Sequence, residues 1–382
     1  MPAMRVNRPL ALSSVALAGC VGALDTHDLA AGVSIDEVAA YQAVERVLYG
    51  EGEDADVPLV EQKPTLLRVF VSTDDAYDGG PVTAVFTVGD EVFEVDVPAL
   101  APVSDRADLD STINLEVPPE LVGATLDWSV ELLQADGAGD NPSASVSQSE
   151  VVDAAANVLR MVLVPYRYDA DGSGREPDTS PERIEELRSR ILATYPVSDV
   201  QIDLHDPVSI GTEVGPEYGS WLGMTLRIAA LRAEEAPDDD VYYYGLVNPA
   251  DTNAAFCAGA DGCIGGIAPL NTDGPEGVGT PAMRVGAGLG FPQSVADIAI
   301  HELGHAHGRA HAPCTGNAAP DDTDPDYPRD DGRIEVWGWD ASTGALREPG
   351  VASDFMGYCA DKHVSAYTWR ALHERSVINP LL

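Results

Sequence analysis

Eleven residues concentrate the chemistry this chain can do: His301-Glu302-Leu303-Gly304-His305-Ala306-His307-Gly308-Arg309-Ala310-His311. Their pattern is H-E-x-x-H-x-x-G-x-x-H. Residues four apart share one face of a helix, so His301 and His305 would present their imidazoles side by side to one ion. Glu302 follows directly, where a carboxylate can take a proton from a water attacking beside that ion. Gly308 is free to adopt the left-handed backbone that ends a helix, and the resulting turn would return His311 as a third ligand. Three histidines leave a fourth position open, as in catalytic zinc sites; structural zinc sites are closed by four protein ligands, usually including cysteine. Five fixed residues fall into this register by chance with odds on the order of 10⁻⁵ for a chain of this length.

The ligands need a helix that is buried on one side. Ser294 is a candidate cap, and the apolar run over 295–300 supplies the buried face. Upstream, 159–165 reads as an apolar strand. Ser180-Pro181 opens a helix running to 194, 200–204 is a strand, 217–235 a second helix and 241–247 a further strand. The edge strand beside the histidine helix is expected within 262–270 or 283–289. Such an edge would hold an extended peptide by main-chain pairing.

Residues 34–155 read differently. Strand-like alternation over 66–71, 82–88, 92–97 and 126–132, separated by Gly, Pro and Asp turns, predicts an all-β, immunoglobulin-like sandwich. The stretch 137–149 reads as a polar loop. No catalytic spacing of His, Cys or Ser occurs in this half.

The extended histidine motif resembles that of the metzincin zinc metalloendopeptidases, and Asp354-Phe355-Met356-Gly357-Tyr358-Cys359 fits their second signature, a tight turn carrying methionine. The resemblance implies that Met356 packs beneath the imidazoles. It also implies that Tyr358 can reach the metal or the developing oxyanion as a second catalytic residue. His311-Ala312-Pro313-Cys314 and 364–368 look like a bacterial group of secreted or lipid-anchored proteases near the StcE-like mucin-cleaving enzymes. Ala312 departs from the Asp or Ser found there in reprolysins and matrixins. His363 stands where related proteins are expected to carry tryptophan. With this resemblance the whole chain is expected to be an α+β protein, a metzincin-like catalytic domain over 156–382 preceded by the sandwich. Its substrates would be proteins or glycoproteins, cut by one zinc ion and Glu302.

The N-terminus carries Arg5 and Arg8, an apolar stretch over 10–18, and Leu17-Ala18-Gly19-Cys20. This reads as a lipoprotein signal peptide over 1–19, lipidation at Cys20 and a tether over 20–33. The protein would then be an exported bacterial envelope lipoprotein, held at a membrane by its anchor or released. Of five cysteines, Cys20 leaves four, an even number suited to an oxidising compartment. Cys257 and Cys263 flank a short loop and would form a local bridge; Cys314–Cys359 would tie the two halves of the metal site together.

The formal charge is −41, from 63 acidic and 22 basic residues, and the lysines are Lys63 and Lys362 alone. Such a surface repels phosphate backbones, which excludes nucleic acid as a partner. Calcium loops are weakly signalled at 169–174 and 321–326, the first lacking the glutamate that a helix-loop-helix site needs at its twelfth position. His205, His307, His363 and His373 lack partner spacing and are expected to be structural or exposed. Two alternatives stay open: an adhesion or binding lipoprotein with a non-proteolytic metal site, and a removable pro-segment over 34–155.

Overall fold

The computed structural model describes residues 28–52, 56–135, 141–153, 157–260, 262–272, 279–314 and 323–378. The signal segment and Cys20 lie outside the described residues. Among those described, no helix is long and apolar enough to cross a membrane.

The chain is a mixed α+β protein dominated by sheet. Its first strands are β1 (Asp28–Leu29), β2 (Val33–Gln42), β3 (Val44–Tyr49), β4 (Thr65–Thr73), β5 (Val82–Val88), β6 (Glu91–Val97), β7 (Ile113–Val117), β8 (Thr125–Gln134) and β9 (Ser145–Val151). They form two antiparallel sheets. One runs β1-β8-β5-β6, with β9 also on β8; the other contains β3-β2-β4-β7. Strict alternation in Val82–Val88 and Thr125–Gln134 sends every second side chain inward. Phe86, Trp128, Leu132, Leu67 and Val69 from the two sheets meet in one core.

Two expectations are corrected here. Residues 145–149, read as polar loop, form strand β9, because serines outline its exposed side while Val146 alone carries the inward signal. The tether read over 20–33 already contains strand β1, which pairs with Leu133 and Gln134 of β8.

The second half is built on parallel strands β10 (Val158–Tyr168), β11 (Asp199–Leu204), β12 (Val208–Ile210), β13 (Tyr242–Val247), β14 (Gly266–Ile267) and β15 (Val285–Leu289). The order is β11-β10-β13-β15-β14, with only β14 antiparallel. Helices α1 (Pro181–Thr194), α2 (Tyr218–Glu235) and α4 (Val295–Ala306), with the single turn α3 (Asn253–Phe256), complete this unit. Alternation along β10 and β13 splits their side chains. Leu159, Met161, Leu163, Tyr242 and Tyr244 pack with α1 and α4, whereas Tyr166, Tyr168, Tyr243 and Val247 pack with α2. Of the two candidate edge segments, β14 is the edge and β15 lies inside the sheet. Ser180 makes no side-chain cap for α1, and its amide is instead held by Asp178 Oδ1 at 3.0 Å. Ser294 likewise makes no cap hydrogen bond to α4.

The remaining elements are β16 (Gly338–Asp340), β17 (Ala345–Arg347), β18 (Ser353–Asp354), β19 (Lys362–His363) and α5 (Ala366–Ile378). The β16-β17 hairpin joins the first half: Gly338 pairs with Val44, and the sheet becomes β17-β16-β3-β2-β4-β7. The carbonyl of Ala43, a residue at φ 79°, accepts bonds from Trp339 N at 2.8 Å and His363 Nε2 at 2.9 Å. His363 thus fills the place expected for tryptophan by donating across the seam. Lys63 is fully buried there and donates to the carbonyls of Leu192 (2.5 Å), Tyr195 (2.9 Å) and Val197 (3.5 Å) at the end of α1. Trp369 of α5 donates to Pro58 O at 3.0 Å. The two halves therefore share a sheet and buried polar bonds.

Candidate metal centre

Helix α4 carries His301 and His305 on one face, both buried. It ends at His307, and Gly308 takes φ 84°, where an added Cβ would press to 3.0 Å on Asn271 O. The chain then returns His311, so the side-chain donors of His301, His305 and His311 lie within 4.8 Å of one another. Among the described residues this is the one such cluster.

Second partners fix the tautomers of two of the rings, His301 and His305. His301 Nδ1 donates to Phe355 O at 2.9 Å and His305 Nδ1 to Arg309 O at 2.7 Å. Each neutral ring therefore keeps its lone pair on Nε2. The Nε2 atoms of His305 and His311 stand 3.1 Å apart, close enough to share one cation. Burial and the neighbouring His305 hold His301 well below the ordinary imidazole range, which favours the neutral, metal-binding form. The donor set fits a divalent metal with imidazole ligands.

Glu302 is buried, and burial pushes its carboxyl up to about 8, opposed by the Ala268 N–H and the charge of Lys362. Gly266 in β14 packs closely on α4 and β15: a Cβ there would come within 2.6 Å of Ile298 Cγ2, 2.9 Å of Ala287 O and 3.0 Å of Glu302 Oε1. Tyr358 is half exposed and brings its hydroxyl to 2.8 Å from His311 Nε2, beside the ligand cluster. Met356 lies directly under α4, where a Cβ on Gly304 would stand 2.2 Å from its Sδ. Its turn is tied by Asp354, whose Oδ1 accepts Met356 N at 2.8 Å and Oδ2 accepts Ser365 N at 3.1 Å. Both expected bridges are present, Cys257–Cys263 and Cys314–Cys359.

Other residues hold the site without a sequence signal. Asn271 is wholly buried; its amide N–H donates to His305 O and its side chain to Ala306 O, which secures the exit from α4. Asp324 N donates to His311 O at 2.8 Å, and its carboxylate takes Arg309 at 2.9 Å and Tyr367 at 3.0 Å. Of the 321–326 loop, Asp321 and Asp322 lie outside the described residues. In the 169–174 loop Asp171 is paired with Arg175 at 2.5 Å. His307 is buried rather than exposed, stacked on Tyr242 at 4.8 Å and bonded to Leu303 O. His205 pairs with Glu235 at 2.8 Å.

No protein-family model matches the chain, and no curated protein matches it. Two solved structures of β-glucuronidase from Parabacteroides merdae, one with glycerol in its active site, resemble it over 58% of its length at 13% identity. Their TM-scores are 0.19 and 0.17, and the chain spans 31% and 30% of them, about a third of their length. A likeness of this size carries no argument about fold or function.

Proposed function

We propose that the chain is a zinc-dependent endopeptidase of the metzincin kind. The observation that carries the proposal is the convergence of the His301, His305 and His311 side-chain nitrogens, within 4.8 Å of one another, with the buried carboxylate of Glu302 next to His301 in the sequence. His301, His305 and His311 would hold the ion, and a bound zinc would supply Lewis acidity toward a peptide carbonyl and toward water.

The protein's own groups do the rest. Glu302 takes a proton from the attacking water as its oxygen bonds to the carbonyl carbon. It then passes that proton to the nitrogen as the C–N bond breaks, leaving a carboxylic acid and an amine. In this proposal the Tyr358 hydroxyl, 2.8 Å from His311 Nε2, would donate to the carbonyl oxygen as it gains charge. Among the described residues β14 has β15 as its sole strand neighbour, and its outer side would pair with an extended substrate.

The first half, read as an immunoglobulin-like sandwich, is in this proposal a retained domain, since its sheet includes residues 338–347. Export and anchoring through Cys20 agree with two disulfides among the other four cysteines. Glu302→Gln is the test: peptide hydrolysis should drop by a factor on the order of 10² or more, with zinc content unchanged. A Gln variant that cleaves at the wild-type rate would end the assignment of the base.

A further inference from the structure

Lys362 is an unpaired cation beside the candidate base in a strongly acidic chain. The chain's other lysine, Lys63, is taken up by three carbonyls at the seam. Lys362 has no such partner: among the described residues nothing forms an ion pair or side-chain hydrogen bond with it, and Asp297 is held by Arg190 at 2.9 Å.

Its position is fixed from the metal side. His301 Nδ1 donates to Phe355 O, Phe355 N donates to His363 O at 2.8 Å, and Lys362 sits opposite Ser353 in the β18-β19 pair. Side chains alternate along a strand, and His363 points into the seam with the first half. Lys362 therefore points away from that seam. Consistent with this, its charge is felt by His301 and Glu302, and it feels Asp297, Glu302 and Asp354 in turn. Burial holds the ammonium below its ordinary range, so a carboxylate brought alongside would offset a desolvation already incurred.

The side of the substrate follows from the chemistry above, on which this inference rests. Glu302 delivers its proton to the departing nitrogen, so the side chain of the residue contributing that nitrogen projects from the region Glu302 and Lys362 share. We propose that Lys362 selects substrates with an aspartate or glutamate immediately on the amine side of the bond that is cut. The overall negative charge does not oppose this at short range, because surface charges beyond about 8–10 Å are screened at physiological salt.

The test uses the full chain loaded with zinc and a set of peptides differing only at that residue: Glu, Gln, Ala or Lys. The wild type should cleave the Glu peptide with kcat/KM on the order of ten-fold above the Gln peptide, and the advantage should shrink as salt rises. Lys362→Glu should turn the order toward the Lys peptide, and Lys362→Met should level Glu with Gln. The ratio between peptides is the readout, so a general loss of rate in a variant leaves it interpretable. Cleavage of all four wild-type peptides at equal kcat/KM overturns the role of Lys362 while leaving the peptidase reading intact. A zinc-loaded wild type that cuts none of them removes the peptidase reading and this inference with it.

Discussion

Gly304 offers a direct test of how the methionine turn supports the histidine helix. In the middle of an exposed helix, Gly→Ala gains about 1 kcal/mol from reduced backbone freedom in the unfolded chain. Here the new Cβ would lie 2.2 Å from Met356 Sδ, 3.1 Å from Phe355 Cε2 and 3.2 Å from Met356 Cε. Contacts that short require the turn to move, and forcing a methyl into a packed core costs roughly 1–3 kcal/mol. Overpacking should win, giving Gly304→Ala a net loss of stability. Phe355 belongs to the same turn, and its carbonyl orients His301, so metal affinity should fall about 10- to 100-fold as well. Met356→Ala alone should cost roughly 2–5 kcal/mol through the cavity it leaves. In the double variant the cavity accepts the new methyl, so the two losses should fall short of their sum by about 1–3 kcal/mol. Urea unfolding of the four proteins gives the cycle, and competition with a chromophoric chelator gives the affinities. A stabilised Gly304→Ala protein, or strictly additive losses, would refute the packing argument.

Two further perturbations address the seam. His363 is buried, and burial lowers its pKa from 6.5 to about 4, opposed by its bond to Ala43 O. The unfolded chain thus binds a proton that the folded chain refuses between those values. The stability tied to neutral His363 is complete above pH 6.5 and is lost as pH falls toward 4, by roughly 3 kcal/mol. His363→Gln keeps a donor for Ala43 but cannot ionise. Wild-type stability should therefore fall by about that much more than the variant's between pH 7 and pH 4, and parallel pH curves would show that His363 is not held neutral. Lys63→Met strips three carbonyls at the end of α1 of their donor and should cost roughly 2–4 kcal/mol in urea unfolding. A neutral substitution there would mean that the lysine does not clamp the two halves.

The clustering of His301, His305 and His311, the turn at Gly308 and the helix before it were legible in the sequence because helical spacing and left-handed glycine are local rules. The bridge pairing was legible because so few cysteines remain once Cys20 is set aside. What was not legible depends on contacts distant in the chain. Nothing in 338–347 announces that this short hairpin extends a sheet begun at residue 33, since a three-residue strand has too little alternation to be seen. Strand β9 was hidden by its serines. Asn271 and Asp324 carry no motif; they matter because the return of the chain after Gly308 leaves carbonyls and amides of the last two ligand positions in need of partners. Lys362 stood out by rarity alone, and only its register opposite Ser353 connects it to the site.

The β16-β17 hairpin lies in the sequence between His311 and Met356, and it docks on a strand made near the start of the chain. Until those late residues emerge, β3 presents an unprotected edge, the kind of surface on which aggregation begins. Once the hairpin is seated, the segment on either side of it is drawn back toward α4. The N-terminal sheet thereby anchors the chain between His311 and Met356. Assembly of the histidine cluster on its methionine turn should accordingly be among the final events of folding, and a chain cut short before residue 338 should be able to complete neither the sheet nor that turn.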